Sequence, residues 1–189
     1  MSDPIAPEVP NPYAKPNAAN VLSPAVQLPD DASIRQLFER GKNGAAWFYW
    51  IAALSLVNTV MVLAEGGLAF ALGLNLTIIP DSIAAGIALK PGGNLAVLVA
   101  ALAFDAFILG MFALCGYLSQ RRVLSIYALG MVVYLLDGLL GLFLLGFADL
   151  IGIAIHAYAL WSMWSGFVAY KQINFLQQQA VDSAIANGV

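Results

Sequence analysis

Four apolar runs, each about as long as a lipid bilayer is thick, limit what this chain can fold into. They cover residues 45–64, 95–118, 123–145 and 150–170, and none of them contains a proline. A helix needs about 20 mostly apolar residues to cross the ~30 Å hydrocarbon core of a membrane. Only 10% of the chain is charged, against about 25% in soluble domains. The sequence therefore predicts an all-α, polytopic membrane protein with four transmembrane helices.

The segment between the first two runs has two interpretations. Residues 68–89 begin apolar and then contain several polar residues together with Pro80. One interpretation is that they form a fifth membrane span. With four spans, however, seven of the eight basic residues face one side and only Lys90 faces the other, and the positive-inside rule makes the side with seven the cytoplasm. A fifth span would move Arg121 and Arg122 to the other side. We therefore predict that residues 65–94 form an outer loop, re-entrant or interfacial in part, and that both termini are cytoplasmic.

The composition of the flanking segments predicts their structure. Residues 1–29 contain seven of the nine prolines, and such a segment buries too little surface to offset the entropy lost on ordering. We expect a disordered, Pro-rich cytoplasmic tail that docks a membrane or cytoplasmic protein partner. The apolar residues of 30–42 share one helical face, which predicts a short amphipathic interfacial helix that ends at Gly41. Residues 172–189 are the predicted cytoplasmic C-terminal tail.

Four polar side chains fall inside the apolar runs: Asn58, Asp105, Asp137 and His156. An ionisable group inside a bilayer is costly, so it usually faces the bundle interior and finds a partner there. At about 1.5 Å per residue, Asp137 lies about 21 Å from the cytoplasmic start of its run. His156 reaches the same depth across a short hairpin at residues 146–149, and Asn58 reaches a similar level. We therefore predict a contact between Asp137 and His156, with Asn58 nearby and Asp105 about one turn deeper.

Two interpretations of this polar cluster stay open. A carboxylate and an imidazole in a low-dielectric setting can exchange a proton near neutral pH, which favours a proton or ion relay. Polar contacts between membrane helices also specify partners and register, which favours a structural clasp. The primary prediction is a non-enzymatic accessory or interaction protein. The alternative is a small transporter or proton-coupled membrane protein that uses Asp105, Asp137 and His156.

Other kinds of chemistry lack the residues that they need. The sequence contains no phosphate-binding glycine loop, no zinc-protease motif and no nucleophile elbow. One histidine and the single Cys115 cannot supply a usual zinc site, and no basic face suggests nucleic acid. We therefore expect no catalytic residue, no cofactor and no bound metal, and the lipid bilayer is the expected partner.

Six short stretches of the sequence together carry a resemblance to a group of proteins. They are residues 48–58, 73–75, 80–81, 130–138, 156–161 and 166–171. Together they resemble an uncharacterised group of small bacterial four-helix integral membrane proteins, and the resemblance covers the first, third and fourth runs. It implies four helices and a bacterial cytoplasmic (inner) membrane. It implies no activity, cofactor or site residue.

Overall fold

Five α-helices make up the computed structural model of this chain, which describes residues 30–64, 74–88, 90–145 and 150–186. They are α1 (Asp31–Leu63), α2 (Asn75–Ala88), α3 (Leu95–Gln120), α4 (Leu124–Leu145) and α5 (Leu150–Ala186). The described ranges contain no strand. All but α2 are long and apolar enough to cross a membrane. The predictions of an all-helical fold and of four long apolar helices are therefore confirmed.

The first helix is longer than predicted. A separate amphipathic helix ending at Gly41 is wrong, because α1 runs unbroken through residues 31–63. A Cβ atom at Gly41 would overlap the Tyr170 ring of α5. A Cβ atom at Gly44 would lie 2.8 Å from the Gly166 Cα. These glycines allow α1 and α5 to pack closely, and this packing outweighs the weak helix propensity of glycine.

The residue before α1 caps its first turn. Asp30 accepts a hydrogen bond from the Ser33 backbone N–H at 3.2 Å, which is the usual geometry of a helix N-cap. Hydrogen bonds from the Ser33 side chain and backbone lower the pKa of this exposed carboxyl below its ordinary value of 3.8. The next residue, Asp31, adds a second acidic group to the first turn, where the helix dipole favours negative charge.

A tight turn joins α3 to α4. Arg122 has a left-handed φ of 64°, the Val123 N–H donates to the Leu118 carbonyl at 3.1 Å and the Arg122 N–H donates to the Ser119 carbonyl at 2.9 Å. These two bonds form a Schellman motif. The Arg122 guanidinium lies 5.3 Å from the centroid of the Phe38 ring. The turn is therefore packed against the beginning of α1.

The core changes from aromatic to polar along the bundle. Near the α3–α4 turn, Phe48 packs against Phe112 and Tyr127 at ring-centroid distances of 6.2 and 5.5 Å. All three rings are buried. Further along, the Tyr134 ring stacks on the His156 imidazole. Beyond this stacked pair, the core contains the buried polar side chains that surround α2.

The short helix α2 occupies part of the segment predicted as an outer loop. It packs against α1, α3 and α4. Its buried face consists of Asn75, Thr77, Asp81 and Ala84, so three of these four side chains are polar. The rest of that segment between α1 and α2, the hairpin at 146–149, the Pro-rich tail and the last three residues lie outside the described ranges.

Candidate functional site

A group of nine buried polar side chains lies at the level of α2, and all five helices contribute to it. Each side chain belongs to a residue that is at most 7% exposed. The group comprises Ser55, Asn58 and Thr59 of α1, Asn75, Thr77 and Asp81 of α2, Asp105 of α3, Asp137 of α4 and His156 of α5. It includes all four polar residues that the sequence singled out.

Side chains from two other helices hold the beginning of α2. The backbone N–H of Leu74 donates to Ser55 Oγ at 2.8 Å. The N–H of Asn75 donates to Asp137 Oδ2 at 3.0 Å, and the N–H of Leu76 donates to Asp137 Oδ1 at 2.8 Å. The first N–H groups of a helix have no partner inside the helix and carry its positive dipole end. Asp137 therefore caps the start of α2, a helix that is far from it in the sequence.

The predicted contact between Asp137 and His156 is present, with His156 Nε2 lying 3.3 Å from Asp137 Oδ2. The other ring nitrogen, Nδ1, lies 3.1 Å from the Gly152 carbonyl oxygen. A carbonyl has no hydrogen to donate, so Nδ1 carries the hydrogen of that bond. A hydrogen bond between Nε2 and Oδ2 then requires one more proton, held either by the imidazole or by the carboxyl group. As a hydrogen bond, this contact places one shared proton between Nε2 and Oδ2.

A second contact joins α1, α2 and α3 through a single hydroxyl group. Thr59 Oγ1 lies 2.8 Å from Asp105 Oδ2 and 3.1 Å from Asp81 Oδ2. A hydroxyl carries one hydrogen, so Thr59 can donate to only one of the two carboxyl groups. The other contact, as a hydrogen bond, requires a hydrogen on a carboxyl oxygen. The geometry therefore favours a pair of carboxyl groups that shares one proton.

Asn58 and Asp105 make no hydrogen bond to the Asp137–His156 pair. Asp105 belongs to the contact with Thr59, and its second oxygen, Oδ1, has no hydrogen-bond partner among the described residues. Asn58 is fully buried, and neither of its amide atoms has a partner within the same ranges. Native proteins rarely leave buried polar atoms unpaired. Water or another polar group is the expected partner of these atoms.

A cleft of about 240 Å³ opens between α4 and α5 beside the histidine. Its walls include Asn75, His156 and three glycines, Gly138, Gly141 and Gly152. A Cβ atom at Gly138 would lie 3.0 Å from His156 Cδ2. The absence of a side chain at Gly138 therefore makes room for the imidazole at the wall of the cleft.

Five members of the site were missed by sequence reasoning: Ser55, Thr59, Asn75, Thr77 and Asp81. Asp81 carried a signal, because it is an ionisable residue in an apolar segment. The other four carried none, since uncharged polar residues are common in any helix. The described residues contain no group of three or more His, Cys, Asp or Glu side chains that could hold a metal ion.

Comparisons of this chain with protein-family models, with curated proteins and with solved structures found no match. The candidate site therefore rests on its own geometry. The resemblance to small bacterial four-helix membrane proteins stays a prediction. Partner docking through residues 1–29 also stays a prediction, because that tail lies outside the described ranges.

Proposed function

We propose that this chain is a small proton-coupled transporter, in which buried carboxyl groups bind and release protons and α2 responds to them. One observation carries the proposal: the Thr59 hydroxyl contacts both Asp105 and Asp81, at 2.8 and 3.1 Å. A contact that served only to fix helix packing would not need two carboxyl groups and an additional proton. Ionisable residues inside membrane helices are expensive and commonly form proton relays.

Asp137 links proton binding to the position of α2. Its two oxygens accept the N–H groups of Asn75 and Leu76, and His156 approaches one of the same oxygens. An ionised carboxylate is a stronger acceptor than a neutral carboxyl group. Transfer of the shared proton from His156 to Asp137 therefore weakens the attachment of α2. Because α2 also carries Asp81, both proton-holding pairs act on the same short helix.

In the proposed setting, α2 is a re-entrant helix that begins inside the membrane. The Leu74 N–H binds Ser55, which precedes the end of α1 at Leu63 by eight residues; this spacing corresponds to about 12 Å along the helix. Unpaired backbone is tolerated at membrane depth only where protein or water covers it, and Ser55 and Asp137 provide such cover here. The positive charges favour cytoplasmic termini in a bacterial inner membrane.

The first experiment measures the shared proton without assuming a substrate. Infrared spectroscopy of the purified chain should detect the C=O stretching band of a protonated carboxylic acid. Asp81→Asn and Asp105→Asn should each remove this component, because the remaining carboxylate then accepts the Thr59 hydrogen alone. Asp182→Asn is the matched control, since Asp182 is exposed and its hydrogen-bond partner among the described residues is Gln178. A spectrum in which neither buried substitution changes that band would contradict the shared proton.

The second experiment measures transport of the proton itself. The chain is reconstituted into liposomes that contain a pH-sensitive dye, and a pH gradient is applied. We expect proton flux above that of empty liposomes, loss of this excess in Asp105→Asn and Asp137→Asn, and full flux in Asp182→Asn. Flux that persists unchanged in both buried variants would exclude these carboxyl groups as the pathway.

A further inference from the structure

Beyond the buried site, a polar groove of about 530 Å³ lies between the beginning of α1 and the middle of α5. Its α1 wall contains Arg35, Glu39, Arg40 and Asn43, and its α5 wall contains two serines and Trp161. Residues 35, 36, 39, 40 and 43 lie on one face of α1, since helical neighbours are three and four positions apart. Neither arginine has an ion-pair or hydrogen-bond partner among the described residues. The groove therefore presents two unpaired cations.

A second groove of about 350 Å³ continues along the same seam between α1 and α5. It is lined by Trp47, Trp50 and Leu54 of α1 and by Ile155 and Tyr158 of α5. The two helices are antiparallel here, because Gly44 faces Gly166 and Trp47 faces Tyr158. Both helix walls therefore continue from the polar groove into the apolar one.

The join between the two grooves is formed by aromatic rings. Tyr158 lies 6.0 Å from Trp161, measured between ring centroids, and both are more than half exposed. The predicted span begins at residue 45, so the polar groove lies at the level of lipid headgroups and the apolar groove at the level of acyl chains. Aromatic residues are typical of this boundary.

We propose that this composite groove binds one phospholipid with a singly anionic headgroup, such as phosphatidylglycerol. Arg35 and Arg40 bind the phosphate group. Asn43, Ser162 and Ser165 form hydrogen bonds with the glycerol hydroxyls of the headgroup. One acyl chain lies in the apolar groove. Two arginines and Glu39 leave one net positive charge, which matches the single negative charge of this lipid. The site is independent of the proposed proton coupling.

A phospholipid is favoured over a free phosphate ion because the polar groove continues into the apolar groove. A free ion would occupy the arginines and leave the apolar groove uncovered. A phospholipid covers both parts with one molecule, and burial of the acyl chain adds to the electrostatic attraction.

Tryptophan fluorescence provides the test, because three of the four tryptophans of the chain, Trp47, Trp50 and Trp161, line the two grooves. The full chain in detergent is titrated with phosphatidylglycerol or phosphatidylcholine, each brominated in its acyl chains so that a bound lipid quenches the fluorescence. We expect the anionic lipid to quench at a lower concentration. Replacing Arg35 or Arg40 by Gln should weaken this binding about fivefold for each arginine. Glu39→Gln should strengthen it, because one negative charge leaves the groove.

Lys42→Gln is the matched control, since Lys42 is an exposed cation on the same helix that does not line the groove. It should leave the quenching curve unchanged. Equal quenching by both lipids, or an equal loss in Lys42→Gln, would overturn the site. Displacement of the lipid by inorganic phosphate at matched ionic strength would assign the arginines to a free anion instead. Tryptophans that neither lipid quenches would mean that another protein surface, such as a second copy of the chain, covers the seam.

Discussion

Asp137 of α4 accepts the backbone N–H of Asn75, the first residue of α2, at 3.0 Å although the two residues are 62 positions apart in the sequence. Most helices are capped by a residue just before their first turn. Here the cap is a carboxyl group from another helix, and Ser55 of α1 holds the preceding N–H group. The position of α2 thus depends on two neighbouring helices, and both attachments can be removed by single substitutions.

Replacing Asp137 by Asn should destabilise the protein by about 1–3 kcal/mol, because a buried N–H group at the start of α2 loses its acceptor. His156→Gln should cost less, since His156 contacts only one oxygen of Asp137. Thermal unfolding in detergent measures both variants and the double substitution. We expect a coupling energy of about 0.6 kcal/mol and no more than about 1.7 kcal/mol, which are the average and the maximum measured for polar contacts between membrane helices. Strictly additive effects would contradict a direct contact, and Ser125→Ala, on the exposed surface of α4, is the control.

Substitution of two fully buried serines distinguishes how helix capping affects stability from how burial of a hydroxyl group affects it. Ser55 Oγ accepts the Leu74 N–H at 2.8 Å, whereas Ser119 Oγ has no hydrogen-bond partner in the described part of the chain. Ser55→Ala should therefore cost about 1–3 kcal/mol, because the Leu74 N–H is left unsatisfied. Ser119→Ala should be neutral or stabilising, since it removes a buried polar atom that binds nothing. Chemical denaturation measures both, and equal effects would show that α2 does not depend on Ser55.

The long helices could be predicted because membrane-spanning segments are specified by length and hydropathy alone. The boundary error at Gly41 has a physical cause. A glycine before an apolar run resembles a helix end, but in the structure Gly41 makes room for Tyr170 of α5. That contact depends on which helices become neighbours, and no local pattern contains this information.

The site could be predicted only where short connections fix the geometry. Only four residues separate α4 from α5 in the sequence, so counting residues along the two helices was sufficient to predict the contact between Asp137 and His156. The partner of Asp105 is Thr59, which is 46 residues away in the sequence. Asp81 contacts the same threonine from α2, which is joined to α1 by a longer segment. The register of α2 against α3 follows from packing, so the proximity of Asp81 to Asp105 was not accessible from residue spacing.

The cap of α1 should weaken in acid. Hydrogen bonds from Ser33 lower the pKa of Asp30 below 3.8, so the charged carboxyl group stabilises the helix start at neutral pH. This contribution is complete above the ordinary pKa and disappears as the pH falls through the lowered one. The amide-exchange rate of Ser33, divided by the intrinsic rate of an unprotected amide at the same pH, should therefore rise at low pH. Asp30→Ala should raise it at every pH, whereas Asp30→Asn should keep the cap and remove the pH dependence. An exchange rate that no substitution changes would mean that the first turn is held by other contacts.

Replacement by alanine should have opposite effects on stability at two glycines, because only one of them lies where α1 and α5 pack closely. A Cβ atom at Gly44 would lie 2.8 Å from both the Gly166 Cα and the Ser162 carbonyl oxygen. These are backbone atoms that cannot move without shifting a helix, so Gly44→Ala should destabilise the protein by about 1–3 kcal/mol. A Cβ atom at Gly110 would have no neighbour within 4 Å among the described residues. Gly110→Ala should therefore be neutral or raise stability by up to about 1 kcal/mol, because alanine has the higher helix propensity. Thermal unfolding of the two variants side by side measures the difference, and similar changes in both would show that α1 and α5 do not pack through Gly44.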